Sequence, residues 1–385
     1  MSKVYFDNAA TTQIREEVLD RMMQVMRDVS GNPSSTHAVG RSAKSIVENA
    51  RKTIAKILNV SAGEIFFTSG GTEADNLVIN SAARDLGVQR IITSRIEHHA
   101  VLHAAEEAAR THNINLEYLP LKDCGTPDER VLEEMLTTSD EKTLVSLMHI
   151  NNEVGNMIDI AAIAQMCKSH GALVHSDMVQ SIGHYEIDLQ KTPVDFVAAA
   201  GHKFHGPKGI GFAFVRKNSG LKPLIYGGSQ ERGLRAGTEG VHNIAGLETA
   251  MQYAYKNLEE ESAYVKEIKN YFAERLQQEI PDIKLNGNCG NPEKSTYTLL
   301  NVCLPIATEK ALLLLFQLDM KGISCSKGSA CQSGSDKGSH VLQEILSKED
   351  LGKPSVRFSF SKYNTKEEVD YVIGVLKEFL LERIA

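Results

Sequence analysis

Near the start of the chain, hydrophobic residues recur at helical spacing: Val18, Leu19, Met22, Met23 and Met26 form one stripe, and Ile46, Val47, Ala50, Ile54, Ile57 and Leu58 form another. Two amphipathic helices are expected there. Short β-rich runs follow at 64–68, 90–93, 115–119, 143–149, 172–175, 195–199 and 211–215, most of them separated by helix-length segments. Such alternation marks an α/β fold with a largely parallel sheet wrapped by helices. A long helical stretch from about His242 to Gln278 breaks the rhythm. Beyond it, strands at 298–303 and 355–360 and a last helix from Thr365 come in a different order. We therefore expect a large α/β domain over 15–255 and a smaller α+β domain made of 1–14 and 256–385. The one compositionally biased piece, 322–339, is rich in Ser, Gly and Lys and reads as a mobile loop of the smaller domain.

Composition narrows the function. A chain of 385 residues, 42% hydrophobic and 24% charged, has ordinary globular statistics and enough core for a large buried site. Its formal net charge of -7 offers no basic surface for nucleic-acid phosphates or anionic lipid, so a small-molecule substrate is expected. No apolar run approaches the roughly 18 residues a membrane span needs. The first residues show neither a signal-peptide nor a transit-peptide pattern, which favours the cytoplasm. Six cysteines, at 124, 167, 289, 303, 325 and 331, include no CxxC pair, which argues against a disulfide framework or a zinc ribbon. No metal site is expected.

Four loops that follow predicted strands carry the candidate chemistry, since open α/β sheets gather ligands outside the carboxyl ends of their strands. Thr68-Ser69-Gly70-Gly71-Thr72-Glu73 has small residues ahead of a helix N-terminus, a setting for an anion, although an ordinary strand-to-helix turn looks the same. Ser94 to His99 brings His98, a side chain able to stack on an aromatic group and carry protons near neutral pH. His99 and His103 stand at metal-pair spacing without a third ligand and are read as structural. Asp177 follows an apolar strand, where a carboxylate is costly to desolvate unless it meets a cation; the alternative is an N-cap with Gln180 closing a capping box. Lys203, in the Gly-rich run Ala200-Gly201-His202-Lys203 behind another buried strand, should feel desolvation, which frees its amine for covalent chemistry.

Together these motifs resemble the fold-type I pyridoxal-phosphate enzymes, and among them the class I cysteine desulfurases of the NifS and IscS type. The resemblance runs nearly end to end, from Tyr5-Phe6-Asp7-Asn8-Ala9-Ala10-Thr11-Thr12 and Gly31-Asn32-Pro33-Ser34-Ser35 through His149-Ile150-Asn151-Asn152-Glu153-Val154-Gly155 and Gly201-His202-Lys203. It continues through Arg235-Ala236-Gly237-Thr238-Glu239, Gly328-Ser329-Ala330-Cys331-Gln332-Ser333 and Val356-Arg357-Phe358-Ser359. It implies pyridoxal 5'-phosphate as cofactor, with Lys203 as its Schiff-base lysine, Asp177 on the pyridine nitrogen, Gln180 and Asn152 at the ring hydroxyl and His98 stacked on the ring. Gly71, Thr72 and the turn from Ala200 and Gly201 to His202 would hold the phosphate. Thr238 would reach the phosphate of the neighbouring subunit, which implies a homodimer. Arg357, with Asn152, would clamp the substrate α-carboxylate through its planar fork.

The implied reaction takes sulfur from L-cysteine, leaves L-alanine, and stores the sulfur as a persulfide on Cys331 in the 322–339 loop, beside Lys327 and Lys337. The sulfur would pass to an acceptor such as an iron–sulfur scaffold or the tRNA-thiolation machinery, with Cys331 contributing at most transiently to a cluster. One position departs from the family pattern: Ala200 stands where a Ser is common, so one hydroxyl is missing from the phosphate site. An aminotransferase or selenocysteine lyase of the same fold would use the same Lys203, Asp177 and His98. The loop cysteine has no use in a transaminase. A non-catalytic relative would have little reason to keep Lys203, Cys331 and Arg357 together.

Overall fold

A computed structural model describes residues 3–306, 308–327 and 338–381, with side chains omitted for 308–312 and 381. Cys331, Lys337 and the whole Gly328–Ser333 motif lie outside the described residues. Strand β1 (Val4–Tyr5) leads to helices α1 (Glu16–Asp28) and α2 (Ala38–Ile57). Strands and helices then alternate: β2 (Ile65–Thr68), α3 (Gly71–Asp85), β3 (Arg90–Thr93), α4 (His99–His112), β4 (Asn115–Tyr118), α5 (Glu129–Thr137), β5 (Thr143–Ser146), α6 (Ile160–Ser169) and β6 (Leu173–Asp177). Strands β7 (Phe196–Ala200) and β8 (Gly211–Val215) complete the run, ahead of α7 (Val241–Lys256) and α8 (Leu258–Glu279). The remainder is β9 (Lys284–Leu285), β10 (Leu299–Cys303), α9 (Thr308–Met320), β11 (Ile323–Ser324), α10 (His340–Ile345), α11 (Lys348–Leu351), β12 (Ser355–Ser359) and α12 (Lys366–Leu381).

Strands β2 to β8 form one seven-stranded sheet in the order β2-β8-β7-β6-β5-β3-β4, with β8 antiparallel to both its neighbours and the others parallel. Alternate residues of each strand serve opposite faces. Phe67, Ile92, Val145, Val174 and Val197 join α1, α2, α6 and α7 in one core, while Phe66, Ile91, Leu144, Phe196 and Ala198 join α3 and α4 in another. Burial on both faces explains why these strands read as continuous apolar runs.

A further core gathers Val4, Phe6 and Ala9 with Ile268, Phe272 and Leu276 of α8, the antiparallel sheet β12-β10-β9 and Val369, Val372 and Leu376 of α12. Strand β1 pairs in parallel with β11, so the first residues lie beside the segment that enters the 328–337 stretch.

Two expectations are corrected here. The helical stretch from His242 to Gln278 is two helices, broken at Asn257, whose N–H still bonds Tyr253 O while Glu259, Glu260 and Glu261 start α8 with the acidic first turn that a helix N-terminus favours. The strand expected over 143–149 ends at Ser146: on its β3 side Met148 N is taken by the Glu97 carboxylate at 2.9 and 3.0 Å, while Leu147 N and His149 N still bond His175 O and Asp177 O beside it.

Candidate active site

Register brings the motifs together. Gly211 at the start of β8 lies opposite both Thr68 at the end of β2 and Ala200 at the end of β7, so the turns that follow those two strands meet over one glycine. A Cβ on Gly211 would sit 2.2 Å from Ala199 O and 2.9 Å from Gly70 Cα, so only a glycine lets these turns pack so closely. Gly71 opens α3 with its own constraint: a Cβ there would meet Val179 Cγ2 at 2.6 Å and lie 3.8 Å from the Ala200 methyl. The N–H groups of a helix N-terminus therefore face a compact turn in which Ala200 presents carbon where a hydroxyl would offer a further donor.

Asp177 ends β6, buried. Its Oδ1 accepts from Val179 N at 2.9 Å. Burial raises its carboxyl from the usual 3.8 to about 6, against the Val179 bond and the charge of Lys203, which lower it. The capping-box alternative fails: Gln180 Nε2 reaches Ala9 O at 3.1 Å and does not turn back to Asp177 N. Lys203 closes the short 3-10 turn Gly201–Lys203 after β7, and its Nζ donates to Ala9 O at 2.6 Å and Ala10 O at 3.0 Å. Gln180 and Lys203 thus converge on the Ala9 carbonyl from two strand ends. His202 Nδ1 lies 3.2 Å from Thr11 Oγ1, and Thr12 Oγ1 donates to His202 O at 2.9 Å.

His98 caps α4, with its Nδ1 accepting from Ala100 N at 3.1 Å. Burial, followed by the charge of Lys203, lowers it to about 4, so the ring is neutral at physiological pH. With Nδ1 occupied as an acceptor, the assigned tautomer carries its proton on Nε2.

Arg357 enters from the second core. It lies on β12 and is almost fully buried, with Nη2 on Asp7 Oδ1 at 2.8 Å and Nη1 on Asn152 O at 2.8 Å. Its Nε has no hydrogen-bond partner among the described residues. Asn152 meets Arg357 through its backbone carbonyl. Thr238 is exposed; its segment is tied to the α3 N-terminus by Arg235, whose Nε lies 2.8 Å from Glu73 Oε1. His99 and His103 stack on each other with ring centroids 4.9 Å apart, and His340 lies tilted against His99 with centroids 4.3 Å apart.

Two groups escaped the sequence reading. Glu97 is fully buried behind His98, holds Ser94 Oγ at 2.9 Å as well as Met148 N, and is raised by burial to about 8. Asp75 is buried on α3, with Oδ1 3.4 Å from His175 Nε2. The signal for Asp75 was its spacing: it shares a helical face with Val78, Ile79 and Ala82, all buried.

The residues fit pyridoxal phosphate: an amine, an acid for a ring nitrogen, a ring to stack and a helix N-terminus for the phosphate converge at the carboxyl ends of neighbouring strands. This arrangement on this sheet defines a pyridoxal-phosphate fold-type I protein. The class-V aminotransferase profile matches residues 4–372, and the chain belongs to that family. It is 37% identical over 380 residues to "Cysteine desulfurase IscS" of Dictyoglomus turgidum, covering 98% of this chain and 94% of that relative. Among solved structures, a NifS-like protein superposes with a TM-score of 0.90 at 34% identity over 99% of this chain and 100% of that one. A structure described as SspA in complex with cysteine superposes with a TM-score of 0.81 at 31% identity, over 94% and 100%.

Proposed function

We propose that the chain is a cysteine desulfurase that binds pyridoxal phosphate, converts L-cysteine to L-alanine and keeps the sulfur as a persulfide on Cys331. The observation that carries the reading is the convergence of Lys203, Asp177 and His98, with the Lys203 charge acting on both of the others. The cofactor, when bound, supplies an electron sink for the pair left at Cα as its proton departs.

Lys203 would hold the cofactor through its amine and would take and return the substrate Cα proton. The carbonyls of Ala9 and Ala10 offer its Nζ acceptors in the free state. Asp177 keeps the ring nitrogen protonated, and a cation there lowers the carboxyl below the level that burial alone imposes. His98, neutral with its proton on Nε2, would lie against the ring and carry protons between the reacting carbon and sulfur. Arg357 would hold the α-carboxylate through its guanidinium, with Asp7 steadying Nη2. The Cys331 thiolate attacks the substrate sulfur; the new S–S bond forms as the C–S bond breaks, and the carbon skeleton is reprotonated to alanine.

Thr238, at the surface, completes the phosphate site of a second subunit, and the functional unit is a homodimer in the cytoplasm. The persulfide passes to a sulfur-acceptor protein, an iron–sulfur scaffold or a tRNA-thiolation component.

The test is to incubate cofactor-saturated protein with L-cysteine and a reductant and measure alanine and sulfide. Equal amounts of the two are expected. Cys331→Ala is expected to keep the yellow chromophore and lose desulfuration; sulfide release by that variant at the wild-type rate contradicts the role of the thiol.

A further inference from the structure

Beneath Asp177 lies a second buried acid that the reaction does not touch. Asp75 projects from α3 onto β6, where His175 and Asp177, two residues apart on one strand, share a face of the sheet. Asp75 Oδ1 is 3.4 Å from His175 Nε2, and His175 Nδ1 is 2.8 Å from Ser146 Oγ, its cross-strand neighbour on β5. Asp75 is 1% exposed and His175 0%. Neither of these two atoms has a hydrogen-bond partner among the described residues, so the pair is either a buried ion pair or a neutral acid that turns its proton toward a neutral imidazole. The surroundings decide between them.

The neighbours that act on Asp75 are two acids, Asp177 and, when it ionises, Glu97, and they add to burial in raising its carboxyl well above the ordinary carboxylate range. Burial likewise takes His175 down to about 3, so its ring is neutral. Asp177 has what Asp75 lacks: a backbone N–H from Val179 and the nearby positive charge of Lys203. Two carboxylates that repel each other in a dry site do not both ionise, and the proton settles on the one with fewer donors.

We propose that Asp75 is a positioning residue for the reaction, held as a neutral carboxylic acid that donates its proton to His175 Nε2, so that Asp177 remains the single negative charge beneath the cofactor ring. The proposal rests on the reading that Asp177 meets the ring nitrogen. Were Asp75 ionised, its repulsion would drive the proton onto Asp177 and remove the partner of the cationic nitrogen. Neutral Asp75 also fixes the imidazole, whose Nδ1–H then donates to Ser146 Oγ, and so stiffens the strand that aims Asp177.

The test is infrared spectroscopy of protein carrying carbon-13 aspartate, near neutral pH, with and without cofactor. The wild type should show the carbonyl stretch of a protonated aspartic acid, and Asp75→Asn should remove it; the protonated Glu97 carries no label. An aspartate spectrum with no protonated component, or a component that survives in Asp75→Asn, overturns the proposal. The second readout is cofactor retention and the pH midpoint of the bound chromophore. Asp75→Ala, which removes the acid facing His175 Nε2, should weaken retention by about tenfold and move the midpoint, and Asp75→Asn, whose amide donates as the acid does, should restore both. Equal loss in the Ala and Asn variants contradicts the donor role. If the wild type binds no chromophore, the proposed function fails while the infrared band of the cofactor-free protein still decides the state of Asp75.

Discussion

The floor of the site and its opposite wall are built on opposite electrostatic plans. The floor, at the carboxyl ends of β3, β6 and β7, buries Asp177 and Glu97 and half-buries His98 with few counter-charges, and desolvation moves all three toward their neutral forms, to about 6, about 8 and about 4. The wall, on β12, buries a permanent cation, Arg357, and ties two of its nitrogens to Asp7 and Asn152 O. Proton transfer needs groups whose charge changes near working pH, and a substrate clamp needs one whose charge does not. The floor therefore trades stability for tuned acidity, and the wall holds fixed charge in fixed geometry.

The largest effect expected of a break in this arrangement is at the floor. Lys203→Ala should lower alanine formation by at least about a thousandfold, since it removes both the covalent anchor and the group that moves the Cα proton. Single-turnover assays of cofactor-loaded protein would check this. At the wall, Arg357→Lys keeps the charge but loses the fork. It should raise KM for L-cysteine by roughly tenfold or more while leaving the chromophore spectrum in place. A spectrum altered as strongly as KM would show that the wall and the floor are not separable.

Ala200→Ser restores a hydroxyl beside the α3 N-terminus, where the Ala200 methyl now lies 3.8 Å from the Cβ position of Gly71. Cofactor dissociation, followed by fluorescence, should slow by about tenfold, the worth of one hydrogen bond to a charged group. An unchanged dissociation rate means that water already fills that role.

The smallest effect is thermodynamic. A carboxyl raised on folding from 3.8 to about 6 binds its proton more tightly in the folded state. Its contribution to stability is therefore greatest below the lower value, falls as pH rises through that window and is fully lost above about 6. Cofactor-free Asp177→Asn should lack this fall and exceed the wild type in urea-unfolding stability above about pH 6, even as it loses affinity for the cofactor. An equal slope in the two proteins contradicts the placement of Asp177 as a desolvated acid.

Much of this was legible before the structure, for a physical reason. Buried parallel strands must be apolar throughout, so the runs ending at Thr68, Thr93, His175 and Ala199 stand out, and the residues just past them are the candidates. Long-range pairing left no such trace. Gln180 finds its acceptor on Ala9, and Arg357 finds Asp7, partners 171 and 350 residues away, so local patterns offered a capping box for the first and nothing for the second. Asp75 was hidden because an acid on a helix is usually solvated, although its place among Val78, Ile79 and Ala82 marked an inward face.

The central claim is the covalent engagement of one amine above a buried acid. Borohydride reduction of the cofactor-saturated protein, followed by proteolysis and peptide mass spectrometry, tests it most directly. The account predicts a phosphopyridoxyl group on Lys203, and none there when Lys203 is replaced by Ala. An unmodified Lys203 in saturated, reduced protein would contradict it.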